Sequence, residues 1–145
     1  MVPRRAAGKA TRLNWTLTEA WMPSPISHIQ LELAREPGRP FGDPEHVYHL
    51  YVPLNAEGQI DAEAFRKHHQ ICRVRRRRPG ESEAHGRIVH GPGGRWIFDY
   101  SDGTDHDNEL AFRHHDERLI PGEYVSIRED DGRLHTFQVV AVRAE

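Results

Sequence analysis

The chain has one cysteine, Cys72, in 145 residues. An intramolecular disulfide is excluded, and nothing in the thiol content argues for an oxidising compartment, so the expected location is the cytoplasm. Long apolar runs are also missing. No window approaches the roughly 18 apolar residues of a membrane-crossing helix. The basic start "MVPRRAAGKATRLNW" lacks the apolar segment of a secretory signal. Net charge is nearly absent: 20 Lys and Arg against 22 Asp and Glu leave −2 with histidine neutral, so no global field draws the chain to nucleic acid or to a membrane. Catalytic signatures are absent as well. There is no GxSxG elbow, no HExxH helix and no CxxC knuckle, and "GPGG" lacks the Lys-Ser/Thr that completes a phosphate loop. Cys72, beside arginines that could lower its pKa, reads as a packing residue. The expectation is a non-catalytic protein.

What is present is a soluble globular composition, 37% hydrophobic and 29% charged. The length suits one domain. Residues 1–25 read as a flexible tail, with Trp15, Leu17 and Trp21 as its apolar anchors and "MPSP" discouraging helix. Residues 26–145 read as a single β-rich domain. "HIQLELAR" and "HVYHLYVPL" alternate with period two, the mark of half-buried strands. "AEAFRKHH", capped by Asp61, is the one short helix. "ICRVRRRR" is extended, and "HGRIVH" and "RWIFDY" flank a four-residue loop. "EYVSIRE" and "RLHTFQVVAVR" form a hairpin across "DDG", with Gly132 in the left-handed conformation. That register sets Val125 opposite Phe137 and Glu129 opposite Arg133. The sum is a mainly β fold, a small antiparallel barrel or sandwich of seven to eight strands with one short helix. Its expected core is Ile29, Leu31, Leu33, Leu50, Val52, Val74, Ile88, Phe98, Val125, Ile127, Phe137 and Val139.

Three clusters could carry function. The first is "RVRRRRPG", with Arg73, Arg75, Arg76, Arg77 and Arg78. Clustered arginines neutralise phosphates and release counterions. On a strand, Arg73, Arg75 and Arg77 line one face. Small barrels bind single strands with such a face plus stacking aromatics. Here the alternation of Trp96, Phe98 and Tyr100 is instead that of a core face.

The second cluster is acidic: Asp99, Asp102, Asp105, Asp107 and Glu109 lie within "DYSDGTDHDNE" with no Lys or Arg. Started at Asp99, the calcium-loop spacing fails, with Gly103 at position 5, Thr104 at 6 and Leu110 at 12. A polar link between strands is the plainer reading. If the strands bring the two charge runs together, the carboxylates would quench the basic face.

The third cluster is histidine, eleven in all. His68 and His69 beside Cys72, and His114 and His115 beside Asp116, are the candidate metal ligands, with Asp102, Asp105 and Asp107 as acidic ones. Zn or Ca would suit them, and no other cofactor is expected.

One segment resembles a known family. "RLIPGEYVSIRE", with Pro121-Gly122-Glu123-Tyr124-Val125, is similar to the Pro-Gly-Gln-Tyr-Val strand of ferredoxin-reductase-like flavin barrels. The Arg-x-Tyr-Ser flavin signature of that family is absent, and "HTFQVV" stands there instead. The resemblance therefore implies a way of starting a barrel strand. The function expected from the residues is a small binding module, for nucleic acid or another acidic partner through the Arg-rich strand. The alternative is a metal-binding protein or small metal-dependent enzyme.

Overall fold

A computed structural model describes residues 25–100, 109–113 and 117–145, with the backbone alone at 110, 112 and 113. The tail assigned to residues 1–25 lies outside the described residues except for Pro25. So do Asp102, Asp105, Asp107, His114 and His115.

Eight strands follow one another around a closed barrel, each antiparallel to its neighbours. They are β1 Ser27–Leu33, β2 Asp43–Val52, β3 Arg73–Arg77, β4 Ala84–His90, β5 Arg95–Tyr100, β6 Glu109–Arg113, β7 Tyr124–Arg128 and β8 Leu134–Ala144. β8 pairs with both β7 and β1, which closes the sheet and leaves it no edge strand to protect. Barrel rather than sandwich is therefore the architecture. The register slips twice along β1, between Gln30 and Leu31 and between Glu32 and Leu33, and once in β5 between Arg95 and Ile97. Such slips bend and twist a strand, which closure of a small barrel needs.

Alternation decides what faces inward. Every expected core residue is buried, none above 5% exposed. Trp96, Phe98 and Tyr100 are buried with them, as their alternation suggests. Val47 and Tyr51, on the polar side of the β2 pattern, are buried too. Tyr51 owes this to its outer-face neighbours, described below.

The local turns follow their residues. Val125 pairs with Phe137, the Glu129 N–H donates to the Arg133 carbonyl at 3.0 Å, and Gly132 has φ 79°. A side chain at that φ would cost about 1–2 kcal/mol. His90 pairs with Trp96 across the "GPGG" loop, and the Gly91 N–H donates to the Arg95 carbonyl at 2.7 Å. The Pro121-Gly122 turn precedes β7, with Gly122 at φ 94°.

Helix α1, Ala62–His68, starts at Asp61, whose Oδ1 accepts from the N–H groups of Glu63 and Ala64 at 3.1 Å. It lies in the β2–β3 connection and sets Phe65 edge-on to Trp96, with ring centroids 4.8 Å apart. One end of the barrel is thus closed by apolar packing. The other end is polar. Among the described residues, no helix is long and apolar enough to cross a membrane.

Candidate functional site

The polar end arises by extending each strand's inward row to its last position. On β2 the row runs His46, Tyr48, Leu50, Val52. On β3 it is Val74 then Arg76, with Arg78 just beyond. Tyr100 ends the row of β5, Glu109 begins that of β6, Glu129 follows Ile127 after β7, and His135 precedes Phe137 on β8. Because neighbours are antiparallel, all these polar termini fall at the same end.

They form one connected network. Glu109 is fully buried. Its Oε2 accepts from Arg76 Nη1 at 2.7 Å, and its Oε1 accepts from the hydroxyls of Tyr100 at 2.7 Å and Tyr48 at 2.9 Å. The Tyr48 hydroxyl also contacts Glu129 Oε2, which lies 2.8 Å from His46 Nε2. One phenolic proton cannot serve two carboxylates at once. Burial raises the pKa of Glu109 from its ordinary value, against the pull of Arg76. Glu129 goes the other way: despite burial, its hydrogen bonds to His46 and Tyr48 hold it below the usual carboxylate range. Two carboxylates sharing a hydroxyl are thus driven apart in proton affinity, as in acid–base dyads. The desolvation of Tyr48 and Tyr100, next to Glu109, pushes both phenols well up.

Outside this network the cavity opens into a cleft of about 450 Å³, lined in part by Glu36, His46, Arg78, Glu129, Asp131 and His135. Arg78 forks onto Asp130 at 3.0 and 3.3 Å and onto Glu81 at 3.1 Å. His135 stands between carboxylates, Nδ1 at 3.1 Å from Glu36 and Nε2 at 3.0 Å from Asp131. Those two hydrogen bonds overcome its partial burial and raise its pKa.

The outer face of β3 is the second constellation. Arg73, Arg75 and Arg77 point outward beside Arg87 of β4, with His49 and Tyr51 on β2 across from them. Tyr51 is enclosed: the Arg73 guanidinium lies over the ring at 3.8 Å from its centroid, His28 stacks at 4.6 Å, and Arg75 donates to the hydroxyl at 2.9 Å. That cover buries an aromatic on an outside face. His28 Nε2 and His49 Nδ1 lie 2.8 Å apart, and Arg143 Nε approaches His28 Nδ1 at 3.5 Å. Burial and the surrounding guanidinium groups lower both histidines, His49 to about 4. Arg73 meets Glu145 and Arg75 meets Glu83, each at 3.2 Å and half exposed or less.

The arginine run is thus split by alternation: Arg73, Arg75 and Arg77 lie outside, while Arg76 and Arg78 turn to buried and half-buried carboxylates. The two charge runs do meet, through Arg76 and Glu109 inside the barrel. His68 closes α1 and His69 begins the short turn after it, both away from the polar end. Cys72 is buried, with its thiol donating to the His68 carbonyl at 3.4 Å. Burial pushes it up to about 11 despite Arg73, which makes it a poor nucleophile. Among the described residues, one group of three metal-ligating side chains converges, Glu129, Asp131 and His135. None of the three stood among the candidates from sequence. The signal for two of them was the inward row itself, polar where it should have stayed apolar.

Fold and site together define a small up-and-down β-barrel, plugged by apolar packing at one end and by an ionic network at the other. No protein-family model, curated protein or solved structure matches this chain.

Proposed function

We propose that the protein is a non-catalytic binding module that holds the phosphate backbone of a nucleic acid on the outer face of β3. One observation carries this reading: Arg73, Arg75, Arg77 and Arg87 project from one face, and Arg77 and Arg87 make no side-chain ion pair or hydrogen bond among the described residues. Guanidinium groups in such an array neutralise phosphates and release their counterions. Glu83 and Glu145 weaken the field without cancelling it. The closed packing around Tyr51 offers no free ring for a base to stack on, which favours backbone contact over single-strand stacking.

The test is fluorescence anisotropy of the full chain with labelled duplex and single-stranded DNA between about 50 and 200 mM salt. Binding at the low end with a steep loss toward the high end is expected. The combined Arg73→Gln, Arg75→Gln and Arg77→Gln variant should flatten the log–log salt slope by roughly one unit for each phosphate left without its guanidinium. Absence of binding to either DNA at low salt ends the reading.

A further inference from the structure

We infer that the cleft at the polar end of the barrel is a binding site for a divalent transition-metal ion of the zinc class, held by Glu129, Asp131 and His135. This rests on the geometry of the cleft and is independent of the outer arginine face.

The three donor atoms already stand at metal-binding separations. His135 Nε2 lies 3.0 Å from Asp131 Oδ2 and 3.6 Å from Glu129 Oε1, and the three ligand atoms all fall within 4.8 Å of one another. A tetrahedral ion with bonds of about 2.1 Å needs ligands about 3.4 Å apart. Little movement separates this arrangement from a coordinated one.

Each ligand is also oriented by a group outside the triad. Glu36 accepts from His135 Nδ1 at 3.1 Å, leaving Nε2 aimed at the two carboxylates. A carboxylate behind the far ring nitrogen is the usual support of a metal-ligating histidine. Glu129 has its Oε2 held by His46 and Tyr48, so Oε1 is the oxygen turned to the site. Asp131 has its Oδ1 held by the Arg133 N–H at 2.8 Å, so Oδ2 is the one presented. Three ligands thus each have one atom anchored elsewhere and one atom converging.

The nearest competing cation is Arg78, 3.6 Å from Glu129 Oε1, but its guanidinium is forked onto Asp130. The cleft of about 450 Å³ leaves the fourth coordination position to water or a small ligand. Calcium fits poorly, because it seeks six to eight oxygens and this site offers two carboxylates and a nitrogen.

The experiment is calorimetric titration of Zn²⁺ into the untagged full chain, repeated with Ca²⁺. The variants are Asp131→Asn, Glu36→Gln and a His68→Asn/His69→Asn control, with circular dichroism confirming the fold of each. Asp131 is a safe position because its side chain is 44% exposed and asparagine keeps the acceptor for the Arg133 N–H. One Zn²⁺ equivalent is expected, weakened about tenfold or more by Asp131→Asn and by Glu36→Gln, and unchanged in the control. The assignment is overturned by no saturable Zn²⁺ binding, by binding that Asp131→Asn leaves intact, by binding that disappears in the His68/His69 control, or by Ca²⁺ competing on equal terms.

Discussion

The two faces of β3 carry the same residue type in opposite circumstances. Arg76 points inward and is 8% exposed, with its guanidinium 2.7 Å from a carboxylate that is shut off from water. Arg77, the next residue, points outward and is exposed, with no side-chain partner among the described residues. The inner arginine is structural: its charge is tolerable only because Glu109 answers it, and Glu109 is tolerable only because Arg76, Tyr48 and Tyr100 answer it. The outer arginine stays exposed to water and needs no such answering charge. A run of five arginines therefore divides into plug and surface by the two-residue period of a strand.

Mutations can break this comparison. The largest effect is expected from Arg76→Met, which strands Glu109 in the barrel. Urea unfolding should show a loss of about 3–5 kcal/mol, and adding Glu109→Gln should restore most of it, because the uncompensated charge is gone. If the single variant is neutral, the ion pair is not what holds that end. Tyr48→Phe comes next. It removes the hydroxyl that joins Glu109 to Glu129 while leaving the ring packed edge-on to Phe137, and should cost about 1–3 kcal/mol.

A pH effect comes third and belongs to the outer face. His49 is held at about 4 by burial first, then by Arg75, His28 and Arg77, with Glu83 opposing. In the unfolded chain it would titrate near its ordinary value, so as pH falls from about 6.5 to 4 the unfolded state binds the proton first. Stability present above about pH 6.5 drains away through that window. Thermal melts of His49→Gln should fall less steeply there than those of the parent protein, and equal slopes would remove His49 from the account. The smallest effect is Arg77→Met, expected to stay within about 0.5 kcal/mol in the same urea assay that condemns Arg76→Met.

Much of this was legible locally. The period-two rows placed the core residues, "DDG" specified a left-handed Gly132 and with it the register of β7 and β8, and Asp61 announced the helix. The same alternation that puts Arg73, Arg75 and Arg77 outside requires Arg76 to go in with Val74, so part of the plug was written there as well. Glu109 was harder to see. In the sequence it is one more carboxylate of an acidic run, and nothing nearby distinguishes it from Asp107. Its partner Arg76 lies 33 positions away.

The same limit hid the cleft. Glu129 read as the end of a strand opposite Arg133, Asp131 as a residue of the "DDG" turn, and His135 as one histidine among eleven. Their convergence needed the hairpin to fold back and the β1–β2 connection to bring Glu36 behind the imidazole, a pairing that spans 99 positions. Sequence by itself determined the strands, the turns and the face each side chain takes, because those follow from backbone sterics and a two-residue repeat. Only the tertiary structure decided which faces meet. Closure of the barrel through β8 and β1 gathers the polar strand ends into one place, where low dielectric turns scattered charges into a network.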